Sequence, residues 1–203
     1  MKRILIFGAT GSVGLHVTEL ALKKGFQVRV LVRDINTLPE NLRDKVHVIQ
    51  GDVTKLSDVQ KAVEGQDAVV VVLGTRTDLG PTTAMSDGMK NIVSAMEEKG
   101  LEHVSVCISA FLFYEPEKVP ARFKDVTDDH RRMLDVLKAS KGLKWVAILP
   151  PHFTDEPSSK YTVSHDSMPG RVIARCDLAN FLLESLSTPE HYNQICGIAN
   201  ESA

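Results

Sequence analysis

Short apolar runs and segments with helical periodicity alternate along almost the whole chain, and this alternation constrains the fold more than any other feature. The first apolar run, Ile4 to Phe7, is followed by a helical pattern at 12–24 that Gly25 ends. Continuous apolar runs are typical of strands that are buried on both faces of a parallel sheet. The repeated strand–helix–strand order therefore predicts an α/β fold with right-handed crossovers and a doubly wound parallel sheet.

The same patterns assign most of the chain to particular elements. Strands are predicted at 4–7, 28–32, 46–49, 68–73, 104–108 and 145–149, and helices at 12–24, 56–64, 83–99, 126–140 and 177–187. Residues 150–170 are rich in Pro, Ser, Thr and Asp and are predicted to be loop, followed by a short strand at 171–174. No linker or repeat is visible, so residues 1–203 are predicted to form a single domain with a small substrate-side region at 150–175.

Three glycines form a GxxGxxG pattern between the first strand and the first helix. Gly8 permits a tight turn, Gly11 lets the backbone approach a pyrophosphate, and Gly14 lets the helix pack close to the sheet. The N–H groups at the start of the helix can then bind the phosphates. This context favours a Rossmann-like NAD(P)-binding domain over a purely structural turn. The residues of the turn that we expect to contact the dinucleotide are Gly8, Thr10, Gly11, Ser12 and Val13.

The end of the second predicted strand indicates which dinucleotide binds. An acidic residue there would bind the ribose 2′-hydroxyl of NAD, whereas this strand ends with Arg33 followed by Asp34. The planar guanidinium of Arg33 suits a 2′-phosphate and favours NADPH (NADP+), although the Asp34 carboxylate would repel that phosphate. The alternative is a surface Arg33–Asp34 pair without a ligand.

Two further segments follow predicted strands at the same edge of the sheet. Asp52 can accept a hydrogen bond from an adenine amino group and Val53 can pack on the ring, or Asp52 can act only as a turn cap. After the fourth strand, Gly74 permits close approach and Arg76 can reach a phosphate or an anionic substrate. The residues expected to line the nicotinamide half of the cofactor here are Leu73, Gly74, Thr75 and Arg76.

Composition excludes several classes of partner. The formal net charge of −2 argues against broad electrostatic binding to nucleic acid or to an anionic membrane, and it leaves a local basic pocket open. No signal peptide or apolar run of membrane-spanning length is visible.

The cysteines, Cys107, Cys176 and Cys196, are odd in number and widely spaced, which predicts reduced thiols and a cytoplasmic protein. No His and Cys occur at ligand spacing, so no metal site is predicted.

Specific sequence motifs extend over most of the chain. They are FGATGSVG at 7–14, LVRD at 31–34, GQDAVVVVLGTRTDLGPTTAMSDG at 65–88, SAF at 109–111, VTDDHRRM at 126–133, ILPPH at 148–152 and YTV at 161–163. Together they resemble the flavin reductase (NADPH)/biliverdin reductase B family of atypical short-chain dehydrogenases. The resemblance implies a cytosolic monomer of heme catabolism that reduces flavins such as FMN and riboflavin, and biliverdin of the IXβ type to bilirubin. The family often has a second basic residue after the arginine matching Arg33, which is absent here.

The resemblance also implies which side chains face the reacting rings. Ser109 and His152 match the polar residues of the active site and are expected to be catalytic. His152 is a candidate proton donor because an imidazole titrates near neutral pH, but solvent could supply the proton equally well. The other residues expected near the nicotinamide are Met85, Cys107, Pro151 and Phe153, and those expected to contact substrate are Phe111, Phe113 and Arg122.

Three other hypotheses remain at this point. Tyr114 and Lys118 have the spacing of a catalytic Tyr–Lys pair, but Pro116 between them disfavours the helix that such a pair requires. Tyr114 and Phe113 are instead expected to form an apolar flap over the substrate together with Phe111 and Phe153. His130 is expected to lie on a polar helix face. An epimerase would need a large substrate domain after Leu149, which this sequence does not show. An NADP(H)-binding redox sensor without turnover is the main alternative to the reductase.

Overall fold

The computed structural model describes residues 1–201, which form ten strands and six α-helices with short 3-10 turns between them. The strands are β1 (Arg3–Phe7), β2 (Gln27–Val32), β3 (His47–Gln50), β4 (Ala68–Val71), β5 (His103–Cys107), β6 (Lys144–Leu149), β7 (His152–Thr154), β8 (Tyr161–His165), β9 (Val172–Ala174) and β10 (Gln194–Asn200). The helices are α1 (Ser12–Lys23), α2 (Glu40–Arg43), α3 (Leu56–Val63), α4 (Ala84–Lys99), α5 (Lys124–Ala139) and α6 (Arg175–Glu184).

Eight strands form one sheet in the order β3-β2-β1-β4-β5-β6-β10-β8. The seven strands from β3 to β10 run parallel, and β8 pairs antiparallel with β10 at one edge. The predicted α/β fold and doubly wound sheet are therefore confirmed. The strand order reverses between β1 and β4, and ligands of such sheets bind outside the carboxyl ends of the strands at this position.

The central strands supply side chains to two hydrophobic cores, one on each face of the sheet. Leu5 and Phe7 of β1 belong to the core covered by α3, α4 and α5, whereas Ile4 and Ile6 belong to the core covered by α1 and α6. This alternation follows from the two-residue period of a strand. Because both faces of the sheet are covered, every residue of β4 is buried. The strand is therefore apolar throughout and does not alternate between apolar and polar residues.

The region after β6 differs from its prediction. The expected loop at 150–170 contains β7 and β8, and β7 pairs in parallel with β9 as a separate two-stranded sheet. β10, which was not among the predicted strands, inserts between β6 and β8. The fourth strand ends at Val71 and not at residue 73. In β8, half-buried residues are mixed with exposed Thr162 and His165, so this strand lacks a continuous apolar run.

In the described part of the chain, no helix has the length and apolar character needed to cross a membrane.

Candidate active site

The glycine turn between β1 and α1 is shaped by backbone contacts at two of its three glycines. Gly8 has φ +84°, and a Cβ added there would lie 2.3 Å from the carbonyl oxygen of Val72. A Cβ at Gly14 would lie 2.1 Å from the carbonyl oxygen of Gly8. A Cβ at Gly11 would lie 3.4 Å from its nearest atom, which is also the carbonyl oxygen of Gly8. The protein's own packing therefore requires glycine at 8 and 14 and only weakly at 11.

The start of α1 fits a phosphate group. Gly11 is the N-cap, no side chain caps the helix, and the first turn contains no acidic residue. The first N–H groups of a helix lack partners within the helix and carry its positive dipole end. Because Gly11 is not needed for internal packing, its missing side chain leaves room for a pyrophosphate that approaches the backbone. These residues fit the dinucleotide that the sequence predicted.

Arg33 and Asp34 follow β2 and behave differently from each other. The side chain of Asp34 accepts hydrogen bonds from the backbone N–H of Asn36 at 2.9 Å and from its Nδ2 at 3.0 Å. The carboxylate is therefore engaged in capping the 3-10 turn Ile35–Thr37. Arg33 is exposed, and its carbonyl oxygen accepts from Gln50 Nε2 at 3.1 Å. Its guanidinium lies close enough to Asp52 to contribute to the lowered pKa of that carboxyl, whereas the Asp34 carboxylate is engaged by Asn36.

The segment after β3 is fastened to α4. Asn91 Nδ2 donates to the carbonyl oxygen of Val53 at 2.9 Å, and a Cβ at Gly88 would lie 2.9 Å from a Val53 methyl. One carboxylate oxygen of Asp52 accepts from the backbone N–H of Thr54 at 2.9 Å and from its hydroxyl at 2.8 Å. The backbone N–H of Thr54 is the largest cause that lowers the pKa of Asp52. Asp52 therefore does act as a turn cap, with Val53 held beside it.

The segment after β4 reaches across to the glycine turn. Arg76 has φ +58°, a conformation that non-glycine residues seldom adopt and that often marks functional sites. Its Nη2 donates to Thr10 Oγ1 at 3.3 Å, which joins the two loops on either side of the switch in strand order. Leu73 packs against the core, and Gly74 has no atom within 4 Å of an added Cβ. Thr75 accepts a hydrogen bond from Asp78 N–H through its carbonyl oxygen.

The ends of β5 and β6 place the two expected catalytic residues at one edge. Ile108 N–H donates to the Ile148 carbonyl at 2.8 Å, and Ala110 N–H to that of Pro150 at 3.3 Å. Ser109 is half-buried, and its Oγ accepts from Phe111 N–H at 3.3 Å. His152 is exposed on β7, directly after half-buried Pro151. Both side chains thus follow adjacent strands at the carboxyl edge, as predicted.

An aromatic cluster covers the chain just after Ser109. The rings of Phe111 and Phe123 stack with centroids 5.1 Å apart, and Tyr114 meets Phe111 edge-on at 5.7 Å. The guanidinium of Arg122 lies 4.6 Å from the centroid of Phe123. We call Phe111, Tyr114, Phe123 and Arg122 the aromatic flap. It combines partly exposed apolar rings with one positive charge.

Four expected site residues direct their side chains into the core. Phe113 packs against the core below α5, so it is not part of the aromatic flap, and Met85 in that core is only 3% exposed. Phe153 packs against the opposite core, with the Arg175 guanidinium 5.7 Å from its ring centroid. Cys107 is buried in that core too, and burial raises the pKa of its thiol to about 12. A reactive thiolate at Cys107 is therefore disfavoured.

The Tyr114–Lys118 spacing does not produce a catalytic pair. Tyr114 lies between two short 3-10 turns, Ala110–Phe113 and Pro116–Lys118, and not within an α-helix. Lys118 forms an ion pair with Glu115 at 2.9 Å. The two side chains are therefore not stacked one helical turn apart, which agrees with the coincidental spacing inferred from Pro116.

α5 contributes buried polar residues that the sequence did not indicate. Asp129 is fully buried, and its Oδ2 accepts from the N–H of Met85 at 3.1 Å and of Ser86 at 3.4 Å. It thereby caps the start of α4 from a neighbouring helix. The expected polar-face position of His130 is wrong, because the residue is half-buried, its enclosed Nδ1 has no partner within residues 1–201, and burial lowers its pKa to about 4. Neither role has a local sequence signal, since both depend on α5 packing against α4.

Comparison with known proteins gives the following relatives. An uncharacterised chloroplast protein of Arabidopsis thaliana is 30% identical over 118 residues, which cover 55% of this chain and 42% of that protein. UDP-glucose 4-epimerase 3 of rice (Oryza sativa) is 30% identical over 139 residues, which cover 58% of this chain and 37% of the epimerase. The chain thus spans about two fifths of the length of these plant relatives. YwnB of Bacillus subtilis is 23% identical and is matched over 99% of its length.

Solved structures with similar folds cover the whole chain. ChuY, an anaerobilin reductase from Escherichia coli O157:H7, has a TM-score of 0.85 and 19% identity, with 100% of this chain and 98% of ChuY covered. A Rossmann-fold NAD(P)-binding family protein from Shigella flexneri has a TM-score of 0.79 and 24% identity, with 100% of this chain and 95% of that protein covered. At these identities the likeness confirms the fold.

A family model described as NAD(P)H-binding matches residues 8–189. This range begins at the first glycine of the turn and includes every segment at the carboxyl edge of the sheet described above. The match confirms the nicotinamide dinucleotide cofactor, and the chain belongs to the NAD(P)H-binding family of oxidoreductase-like Rossmann proteins.

Proposed function

We propose that this protein is an NADPH-dependent reductase that transfers hydride to planar heterocycles, namely flavins such as FMN and riboflavin and biliverdin of the IXβ type. The observation that carries the proposal is the aromatic flap beside Ser109, at the same sheet edge as the glycine turn. Flat, partly exposed rings suit a substrate that stacks, whereas a sugar or sterol hydroxyl would need a positioned acid–base pair.

NADPH is the proposed form of the cofactor because an exposed guanidinium follows β2 directly. Arg33 is exposed, while Asp34 is engaged by Asn36. A guanidinium binds a phosphate through two charge-assisted hydrogen bonds, and a 2′-hydroxyl offers no charge for it to neutralise. Arg33 therefore supports the 2′-phosphate without the second basic residue that the resembling family often has.

The substrate's charge can be matched by the flap. Arg122 is exposed and lies over the face of Phe123, so its guanidinium is held near the rings on which a substrate would stack. The phosphate of FMN or the propionates of a bilin would then have a positive partner. Riboflavin has no such anion, so Arg122 should distinguish FMN from riboflavin.

The chain's own residues position the rings and supply or relay a proton. When bound, NADPH supplies the hydride, which is the chemistry of its nicotinamide ring. Ser109, already fixed by Phe111 N–H, can orient the nicotinamide amide or the substrate. His152 is exposed at the neighbouring strand end, within a site open to water. Either His152 or solvent can protonate the reduced product, and a His152 variant separates the two routes.

The fold comparison adds support for a tetrapyrrole substrate. ChuY is described as an anaerobilin reductase, and its fold covers this whole chain. We infer that bilins belong to the substrate range of this protein as well. The proposal also includes a monomer in the cytoplasm that binds small molecules and neither nucleic acid nor membrane. The exposed large apolar side chains, Met1, Ile35, Leu56, Tyr114 and Val172, lie on separate segments, which supports the monomer.

Steady-state oxidation of NADPH with FMN, riboflavin and biliverdin IXβ tests the proposal. Consumption above the uncatalysed rate is expected for all three acceptors. R122A should raise KM for FMN more than for riboflavin, whereas K45A, which removes another exposed positive charge, should affect neither. Binding of NADPH without consumption in the presence of every acceptor would favour the redox sensor.

His152→Gln distinguishes the two sources of the proton. If His152 donates it, the variant loses turnover and its pH profile flattens, whereas His47→Gln, at another exposed histidine, does not. An unchanged rate and pH profile in His152→Gln would exclude the acid role while leaving hydride transfer intact.

A further inference from the structure

Two histidines and a cysteine meet near the β8 edge of the sheet. His165 ends β8, Cys196 lies opposite it on antiparallel β10, and His191 lies in the 3-10 turn that precedes β10. One potential ligand atom from each residue lies within 4.8 Å of the other two. We propose that the His165–His191–Cys196 cluster binds a divalent transition metal, with zinc as the ion that matches its ligands best.

The spacing of these atoms is close to that of a tetrahedral site. His165 Nε2 and His191 Nδ1 are 3.0 Å apart. Zinc–nitrogen bonds of about 2.0–2.1 Å at tetrahedral angles place two ligating nitrogens about 3.4 Å apart, and a zinc–sulfur bond of about 2.3 Å places the sulfur about 3.6 Å from each. Side-chain adjustments on the order of 1 Å therefore bring all three atoms to bonding positions, with a fourth position for water.

The far nitrogen of His191 faces a carboxylate. His191 Nε2 lies 3.3 Å from Glu190 Oε1, so the carboxylate favours a proton on Nε2 and leaves the Nδ1 lone pair directed at His165. Metal-ligating histidines usually have such a carboxylate or carbonyl partner on the other ring nitrogen, which fixes the tautomer and the ring orientation. Asp166 directly follows His165 and adds a further negative charge near the cluster.

Burial makes the cluster rigid on one side and accessible on the other. Cys196 is fully buried, His191 is 9% exposed, and the His191 ring meets Phe181 edge-on with centroids 5.1 Å apart. His165 is exposed, so a metal ion can enter from its side. Burial raises the pKa of the Cys196 thiol to about 12, so Zn²⁺ must displace the thiol proton into solvent as it binds. Two imidazoles and the thiolate formed in this way are a donor set for borderline-soft ions such as Zn²⁺ and not for Mg²⁺ or Ca²⁺.

Sequence spacing did not indicate this cluster. His165 is brought to Cys196 by the antiparallel pairing of β8 with β10, and both strands lay outside the predicted elements. The competing explanation is a simple hydrogen bond between His165 and His191, which needs no metal and no contribution from Cys196. The two explanations differ in the role of the thiol, so the experiment is built on Cys196.

Calorimetric titration of the chelator-treated full-length protein with ZnCl₂ tests the proposal. One equivalent of Zn²⁺ is expected to bind, and Co²⁺ in its place should give the charge-transfer band of a cobalt thiolate. C196S and H165Q should each weaken Zn²⁺ binding by about 100-fold or more, and E190Q, which is outside the ligand set, by about 10- to 100-fold. Because Glu190 and His165 are exposed, two of the three variants leave the core unchanged.

C176S and H47Q are the matched controls, a thiol and an exposed imidazole outside the cluster. Both should bind Zn²⁺ as the wild type does. Zinc should also raise Tm of the wild type and of both controls, but not of C196S, because a ligand stabilises the state that binds it. The proposal is overturned if one-equivalent binding is absent, if C196S and H165Q bind as tightly as wild type, or if the cobalt band is missing.

Discussion

The two halves of the candidate site differ in whether backbone or side chains form them. The cofactor half, at the ends of β1, β2 and β4, is shaped by backbone, with Gly8 and Gly14 packed against carbonyl oxygens at distances that exclude a Cβ. The substrate half, at the ends of β5 and β6, is shaped by partly exposed side chains such as Phe111 and Arg122. A backbone cradle suits the pyrophosphate that all dinucleotides share, whereas partly exposed rings suit the planar acceptors that we propose.

This difference predicts different responses to substitution. In the cofactor half, one added methyl group should damage folding or binding, because backbone atoms cannot move away. In the substrate half, truncation of a ring should reduce activity moderately and leave folding unchanged. The following predictions test that contrast, in order of decreasing effect.

Gly14→Ala should be the most damaging substitution. Its Cβ would lie 2.1 Å from the Gly8 carbonyl oxygen, so α1 must move away from the turn. We expect the free energy of unfolding in urea to fall by about 3 kcal/mol. Gly11→Ala is the control, since its Cβ meets that oxygen at 3.4 Å. It should keep wild-type stability but bind NADPH more weakly. Equal stability of the two alanine variants would show that the turn is not shaped as described.

Acid should destabilise the protein through His130 on α5. The folded-state pKa is lowered to about 4 by burial from an ordinary 6.5, so the unfolded chain binds a proton first as pH falls. Stability from His130 is therefore complete above pH 6.5 and is lost as pH falls towards 4. Wild type should lose on the order of 2 kcal/mol more than H130L over this range in urea unfolding. Parallel pH profiles for the two proteins would contradict the burial of His130.

Arg33→Ala should reduce the preference for NADPH over NADH. Loss of the charge-assisted hydrogen bonds to the 2′-phosphate should lower kcat/KM for NADPH by about 30-fold, with little change for NADH. The exposed Lys45 provides the control for a general loss of positive charge, and K45A should keep the wild-type ratio. An unchanged NADPH/NADH ratio in R33A would remove the basis for proposing NADPH.

Phe111→Leu should have the smallest effect of the four. Loss of stacking in the aromatic flap should lower kcat/KM for FMN by about fivefold, equivalent to about 1 kcal/mol, without a change in Tm. Phe26→Leu, which replaces another partly buried ring, should leave FMN reduction unchanged. If F111L instead unfolds the protein, Phe111 serves the core and the contrast between the halves fails.

The cofactor half was the more predictable from sequence for the same physical reason. Gly8, Gly11 and Gly14 are constrained by local backbone geometry, so their spacing carries the signal, and the strand runs around them are continuous because both faces are buried. Arg33 could be placed because it directly follows β2.

The remaining features depend on contacts between distant segments. Asp129 lies on α5 but accepts a hydrogen bond from Met85 N–H on α4. β10 was not predicted although Ile195–Ala199 is apolar throughout, because only its pairing with β6 and β8 identifies this run as a strand. Phe113 and Met85 looked suitable for the site, but tertiary packing directs both into the core. Neighbours along the chain cannot reveal which of several apolar side chains turns inward.

Transfer of deuterium from the reductant to the product is the most direct test of the central claim. The protein is incubated with biliverdin IXβ and NADPH that carries deuterium at the transferred position of the nicotinamide ring, and the product is analysed by mass spectrometry. The account predicts bilirubin with one deuterium at a bridge carbon. Bilirubin formed without deuterium, or NADPH that binds but is not consumed, would contradict it.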